Sequence, residues 1–327
     1  MIKNCVSIII PVYNRSKQIE NTIISVVNQT YKIFEVIIVD DGSTDDSFAA
    51  AQFLLDKYKI NGSVEKIINS GPDIARDEGV SHANGEFITF LDSDDTWQPD
   101  FLENLIGCFL KYPETKYVFC DFLILDENNG SFYNKKSTLT KFNDLKKIEL
   151  SESVFQIANN FFHYLLQEQP VFIGTFICRK TLLDEIGLTT KYIKDRIGSL
   201  EWEIILRMSR TGNILYYDKP LTNIYKHSGN LSGNFIKQTE GEIFVLNTIK
   251  KNYSLSLEDK KIITTELKNR NHSVGYSYFS IYQMKKARRY LLKSLIFGFT
   301  LSAVKYILFS IIPVPINKML VSVRSKL

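Results

Sequence analysis

Phe34-Glu35-Val36-Ile37-Ile38-Val39-Asp40-Asp41-Gly42-Ser43 is the stretch on which the fold turns. A short run rich in β-branched residues ends in two aspartates, a glycine and a serine. A helical pattern follows over Asp45 to Tyr58, with Phe48, Phe53, Leu54 and Leu55 apolar. The same reading holds upstream, where Val6 to Ile10 ends at Pro11-Val12-Tyr13-Asn14 and Ile19, Ile23, Val26 and Val27 share the next helical face. Downstream, strands over Val64 to Ile68 and Phe87 to Leu91 alternate with helices over Ile74 to His82 and Asp100 to Lys111. Strands apolar on both faces, alternating with helices, predict an α/β domain built on a parallel sheet covered on both sides.

Sheets of this kind bind ligands at the carboxyl ends of their strands. Three of the expected strands end in chemically loaded segments: Pro11-Val12-Tyr13-Asn14, Asp40-Asp41-Gly42-Ser43 and Asp92-Ser93-Asp94-Asp95. Carboxylates gathered on one rim repel one another unless a cation sits among them, so a divalent metal is the economical explanation. Each cluster alone reads equally well as a helix N-cap or turn. Recurrence at successive strand ends favours a site.

Beyond Lys111 the rhythm is irregular. Strands are expected over Tyr117 to Leu125, Val171 to Arg179, Ile214 to Tyr217 and Leu221 to Tyr225, with a loop or hairpin over Gly130 to Lys147 and a short helix over Glu201 to Arg210. From Glu240 onward the chain reads as helical, after a boundary near Ser228 to Gly233.

The 327 residues, 44% hydrophobic and 13% aromatic, are enough for about two domains with a real core, which excludes disorder over most of the chain. Forty basic against 36 acidic residues leave a formal charge of only +4, which argues against a nucleic-acid-coating surface. The distribution says more. After Gln283 there is no acidic residue, while Lys285, Lys286, Arg288, Arg289, Lys293, Lys305, Lys318, Arg324 and Lys326 give +9. Leu291 to Val314 is strongly apolar, but its longest uncharged stretches are 11 and 12 residues, and a spanning helix needs about 20. Basic apolar helices without acids predict peripheral contact in the plane of an anionic membrane interface, with packing on the catalytic domain as the alternative. The four cysteines form no CxxC pair and Met1 to Pro11 lacks the pattern of a signal peptide, so a reducing cytoplasmic setting at the membrane's inner face is expected.

Four ordered segments resemble family 2 glycosyltransferases of the GT-A fold: Val6 to Asn14, Ser25-Val26-Val27-Asn28-Gln29-Thr30, Glu35 to Asp45, and Gly85 to Asp95. The resemblance is dense over residues 5–125 and thins to about 232. It implies a Rossmann-like, mostly parallel sheet flanked by helices, with a catalytic domain over 1–235 (nucleotide half 1–125, acceptor half 126–235) and a C-terminal helical extension over 236–327. It implies an inverting enzyme that moves a sugar from a nucleotide-sugar, usually a UDP-sugar, to a glycan acceptor. A lipid-linked acceptor in bacterial-type surface polysaccharide synthesis is the expected context.

Carried over position by position, the resemblance places Pro11 and Tyr13 along the base and ribose, and Asp41 on the uracil N–H, which an acceptor-only carboxylate suits. Arg76, in Ile74-Ala75-Arg76-Asp77, falls on an arginine facing the nucleotide, and Asp77 stands where the family has asparagine. Asp92 of Asp92-Ser93-Asp94 falls on the aspartate that reaches the ribose, or the metal through water, and Asp94 on the ligand of Mn²⁺ or Mg²⁺. Glu201, in Leu200-Glu201-Trp202-Glu203, falls on the catalytic aspartate, with Glu203 and Asp195 as alternatives, and a first-turn carboxylate stabilising the helix dipole as the plainer account. Tyr225-Lys226-His227-Ser228-Gly229-Asn230-Leu231-Ser232 resembles the segment that closes over the diphosphate. His227 is then a metal or phosphate partner, and Lys226 a point charge for the same anion. Two other functions remain open: a nucleotidyltransferase, against which the absence of a glycine-rich loop after Ile10 speaks, and a nucleotide-sugar binder without catalysis.

Overall fold

A computed structural model describes residues 1–126, 130–134, 139, 141–157, 161–188, 199–227 and 234–312. In chain order the first part is β1 (Ile2–Val12), α1 (Ile19–Val27), β2 (Phe34–Asp40), α2 (Ser47–Tyr58), β3 (Gly62–Lys66), α3 (Pro72–His82), β4 (Gly85–Phe90), β5 (Thr96–Trp97) and α4 (Phe101–Lys111). There follow β6 (Tyr117–Asp126), β7 (Ser131–Asn134), β8 (Lys147–Ser151), β9 (Val154–Ile157), α5 (Phe161–Leu165), β10 (Phe176–Arg179), α6 (Lys180–Ile186), α7 (Leu200–Met208) and β11 (Ile214–Lys226). The last part is helical: α8 (Phe235–Asn252), α9 (Leu257–Ser280), α10 (Met284–Phe297) and α11 (Leu301–Phe309).

Among the described residues the strands form one mixed sheet in the order β3-β2-β1-β4-β10-β6-β11-β9-β8, with β5 added to β11 and β7 to β6. The β3-β2-β1-β4 half is parallel throughout, as is the long β6–β11 pair; β10 joins the two halves antiparallel to both neighbours. Val6, Ile8, Ile9 and Ile10 on β1 and Val36, Ile38 and Val39 on β2 are fully buried, as strands covered on both faces must be. This is the Rossmann-like architecture that the sequence resemblance implied. The loops after β1, β2 and β4 leave the sheet at the same end, because these three strands run parallel.

Several expected boundaries move. The strand expected over Val171 to Arg179 is a 3₁₀ turn at Ile173–Thr175 followed by β10 alone. The two strands expected on either side of Pro220 are one 13-residue strand, irregular in register around that proline, which has no N–H for the ladder. Of the loop or hairpin expected over Gly130 to Lys147, the described part supplies one strand, β7, which pairs outside that stretch with Leu123 to Asp126 of β6. The proposed boundary at Ser228 to Gly233 lies outside the described residues.

Gly79 lets α3 lie close on the sheet: a Cβ there would run into the buried Ile9 side chain of β1. Overpacking a filled core costs about 1–3 kcal/mol. Gly79→Ala should therefore lower the unfolding free energy by that amount, read as a lower midpoint of chemical denaturation. An unchanged midpoint would show that Ile9 gives way freely.

The chain divides into two compact units, residues 1–196 with 201–230, and residues 197–200 with 231–327. In the second, α9 begins with a capping box between Ser256 and Asp259 and buries Ile263, Leu267, Val274 and Phe279. Gly275 admits α10 at close range, since a Cβ there would meet Leu291 at 2.7 Å. Tyr306 of α11 packs its ring on Tyr276 and Phe279 of α9 at 4.9 and 5.1 Å between centroids. Among the described residues no helix is long and apolar enough to cross a membrane.

Candidate active site

The first two βα loops are sewn together. Asn14, at φ +52, turns the chain after β1; its N–H donates to Ser43 Oγ at 3.0 Å and its side-chain oxygen accepts from the Thr44 N–H at 2.9 Å. The Arg15 N–H donates to Ser47 Oγ at 2.7 Å. Asp40, fully buried at the end of β2, accepts from the Ser43 N–H through Oδ1, while its Oδ2 has no hydrogen-bond partner. Asp41 accepts the backbone N–H groups of Ser70 and Gly71, at 2.5 and 2.8 Å, which ties the third βα loop to the second. The carboxylate expected at the base thus already braces a loop. With about four lone-pair sites on its two oxygens, it keeps room for one more donor. Pro11 is buried on the neighbouring strand β1 and Tyr13 is 45% exposed.

Arg76 is the hub of the site. One turn into α3 it is 7% exposed, and its guanidinium reaches Asp73 Oδ1 at 3.0 Å and Asp92 Oδ1 at 2.6 Å. Burial works against its charge, but Asp92 and Asp73 outweigh that cost and hold it protonated. Glu201, in the first turn of α7, faces the same cluster. Burial, then the charge of Asp73, push its carboxyl up to about 7; Arg76 pulls the other way and Asp92 adds to the rise. Glu203, two residues on, is 1% exposed and bound to Arg207 at 2.9 Å, and Arg207 also donates to the carbonyls of Ile186 and Gly187. Of the two glutamates it is Glu201 that lies with Arg76. Asp195 is outside the described residues.

At the end of β4, Asp94 Oδ2 has the His227 Nε2 at 3.1 Å and the Arg15 Nη2 at 3.4 Å. Asp95 is buried and accepts the Tyr225 N–H at 3.0 Å, which pins the end of β11, and hence His227, to the Asp92–Asp95 turn. Burial first, then Asp92 and Asp94, raise the Asp95 carboxyl well above its usual range. Lys226, next to His227, is exposed and turns elsewhere, its Nζ 3.1 Å from the Tyr133 hydroxyl.

The structure thus gathers Arg76, Asp92 and Glu201 in one cluster, and Asp94 with His227 in another. Two participants were missed in the sequence, and Asp95 was read only as part of the Asp92–Asp95 cluster, without a role of its own. Arg15 directly follows the Tyr13-Asn14 segment, and Asp73 lies three residues before Arg76 on the same helix. Only the i,i+3 spacing of Asp73 and Arg76 was a readable signal.

The sequence pattern of Glycosyl transferase family 2 matches residues 7–179, the stretch that carries all these loops except those of α7 and β11. The chain belongs to that family. Among its family 2 relatives, an uncharacterized glycosyltransferase of Rickettsia felis is 34% identical over 67% of this chain and 32% of its own length. A putative teichuronic acid biosynthesis glycosyltransferase of Bacillus subtilis, TuaG, is 41% identical over 31% of this chain and 40% of its own length. The chain thus spans well under half the length of these two relatives. Among solved structures, S. aureus TarS 1-349 in complex with UDP-GlcNAc superimposes with a TM-score of 0.62 at 19% identity, covering 88% of this chain and 81% of that one. That likeness bears on the fold, which is GT-A with additional C-terminal helices.

Proposed function

We propose that this family 2 protein is an inverting glycosyltransferase that uses a UDP-sugar donor and a glycan acceptor carried on lipid at an anionic membrane surface, in surface polysaccharide synthesis. The observation that carries the reading is Glu201, a carboxyl raised to about 7 beside an arginine that bridges two aspartates. A carboxylate with a pKa near neutrality is suited to taking a proton from a hydroxyl at working pH. The UDP-sugar is supported by the open acceptor capacity of Asp41 and by the UDP-GlcNAc bound to TarS, and the polysaccharide setting by the name of TuaG.

Asp94 and His227 fit a divalent cation: an oxygen and an imidazole nitrogen 3.1 Å apart at a rim otherwise crowded with carboxylates. Among the described residues no third protein ligand joins them, as expected for Mg²⁺ or Mn²⁺ that fills its shell with phosphate oxygens and water. When bound, such an ion would neutralise charge on the leaving diphosphate. The chain's own residues do the rest. Glu201 accepts the proton of the acceptor hydroxyl; the hydroxyl oxygen bonds to the anomeric carbon from the face opposite the donor's diphosphate; the carbon–oxygen bond to the diphosphate breaks, and the nucleoside diphosphate departs with that electron pair. Arg76 holds Asp92 in place and offsets the negative charge that Glu201 carries before it takes the proton.

Incubation with UDP-sugars and Mn²⁺ should release free UDP. Donor binding without any release would assign the chain to nucleotide-sugar binding without catalysis. Arg15 gives a separate check. Its guanidinium and a divalent cation compete for Asp94 Oδ2, so Arg15→Ala should tighten Mn²⁺ binding in the absence of nucleotide by roughly tenfold, about the strength of one partly screened ion pair. Calorimetry of Mn²⁺ alone reads this directly. Equal affinity in the two proteins would remove Arg15 from the cation's site.

A further inference from the structure

The exposed stripe of α10 changes character along its length. Lys285, Arg289, Leu292 and Ile296 follow one another at helical spacing, and Phe299 follows in the turn after the helix; all five are exposed, the first two cationic and the last three apolar. The opposite side, Ala287, Leu291 and Ser294, is buried in the helical unit. Past Gly298 the pattern resumes on α11, where Leu301 and Leu308 are 75% and 61% exposed and Ala303 is buried, and just beyond the helix, where Ile311 is 65% exposed and Ser310 buried. Phe299 and Ile296, at 74% and 78%, are among the most exposed large apolar side chains of the protein. A helix lying flat in a membrane interface separates charge from apolar surface around its circumference. Here the exposed stripe is separated along the axis as well, with charge at the start of α10 and apolar side chains at its end and through the turn into α11; half-buried Lys293, its Nζ over the Tyr290 ring, is the cation in the later part of α10.

We infer that the α10–α11 turn, led by Ile296, Phe299 and Leu301, inserts into a bilayer of anionic phospholipid while Lys285, Lys286 and Arg289 stay among the headgroups. This rests on and deepens the reading of a lipid-borne acceptor, and it differs from the sequence expectation of helices lying in the plane of the interface in setting the α10–α11 turn deepest. The occupant follows from charge. The segment after Gln283 has no acidic residue, so a second copy docked on the same face would set basic residues against basic residues, which repel. Anionic headgroups meet the same cations favourably, at about fivefold in affinity per lysine or arginine near the surface. The apolar tip adds a part that salt does not screen.

Cosedimentation of the full chain with vesicles tests this without donor or turnover, so it can fail while the transferase reading stands, and the reverse. The wild type should bind phosphatidylglycerol-containing vesicles and only weakly those of phosphatidylcholine. Phe299→Ser with Leu301→Ser should lower the affinity by roughly 30-fold or more, given the transfer energy of two large apolar side chains. Both sites are exposed, so the thermal transition should not move. Lys285→Gln with Arg289→Gln should lower it by about 25-fold and flatten its salt dependence. Geometry is read by single reporters, Trp97 and Trp202 being buried. Phe299→Trp should shift to the blue and be quenched by lipids brominated on the acyl chain, whereas Lys285→Trp should not. Equal quenching of both reporters would put α10 flat in the interface and overturn the tip-first arrangement. Absence of binding to anionic vesicles would overturn the whole inference, as would a dimer, seen by light scattering, that the serine pair dissociates with vesicle binding intact.

Discussion

Glu201→Gln should lower turnover by about 10² to 10⁴ while donor affinity stays within about twofold, because the amide keeps the size of the side chain but cannot accept a proton. The nucleotide contacts proposed for Asp41, Arg76 and Asp94 are untouched by the change. The pH profile sharpens the expectation. A base works only when deprotonated, and burial together with Asp73 holds this carboxyl at about 7. The rate constant kcat/KM should therefore rise with pH through about 7 and then level off; below that pH the proton already occupies the site. Asp73→Asn removes a negative charge that raises Glu201 and frees Arg76 to act on it more strongly, so the rising limb should move to lower pH. A merely structural Asp73 would lower the rate without moving the limb. Glu201→Asp asks about reach: retained activity means that the site tolerates the family's shorter acid, and a deep loss means that the extra methylene spans a real gap. Undiminished transfer by Glu201→Gln would sink the assignment.

Asp94→Ala should cost about 10² to 10³ in turnover and, unlike Glu201→Gln, should also weaken donor binding and make it indifferent to Mn²⁺. The reason is electrostatic. Asp94 has His227 beside it at 3.1 Å, and a cation held there would supply several kcal/mol of stabilisation to the departing diphosphate. Calorimetry with a UDP-sugar, with and without Mn²⁺ and then with EDTA, separates the two roles. Tight EDTA-resistant binding by the unmodified protein would falsify the metal reading and leave Arg15 and His227 as the counter-charges for the diphosphate. His227→Ala should reproduce the Mn²⁺ effect in weaker form, since the carboxylate carries the full charge and the imidazole a lone pair.

The parallel core and its loaded loops were legible in the amino-acid order itself. β1, β2 and β4 are short apolar runs, and each is followed directly by the residues it presents at its carboxyl end. Burial on both faces and the chemistry of the next loop are both written within about ten consecutive residues, so no long-range information is needed to read them. The same holds for the charge asymmetry after Gln283. The division of labour among the carboxylates was not written there. Glu201 and Glu203 sit two residues apart before the same apolar run, and at about 100° per residue they point to different sides of α7. Packing puts Glu201 against Arg76 and Glu203, itself 1% exposed, against Arg207, so that the first carboxyl is raised to about 7 and the second is a strut. Arg15 and His227 meet Asp94 from 79 and 133 residues away, and Lys226, beside His227, goes to Tyr133 instead. Periodicity lives between neighbours in the chain and can be read from it. A carboxylate's role depends on desolvation and on charges within a few ångströms, and only the folded sheet decides which charges those are.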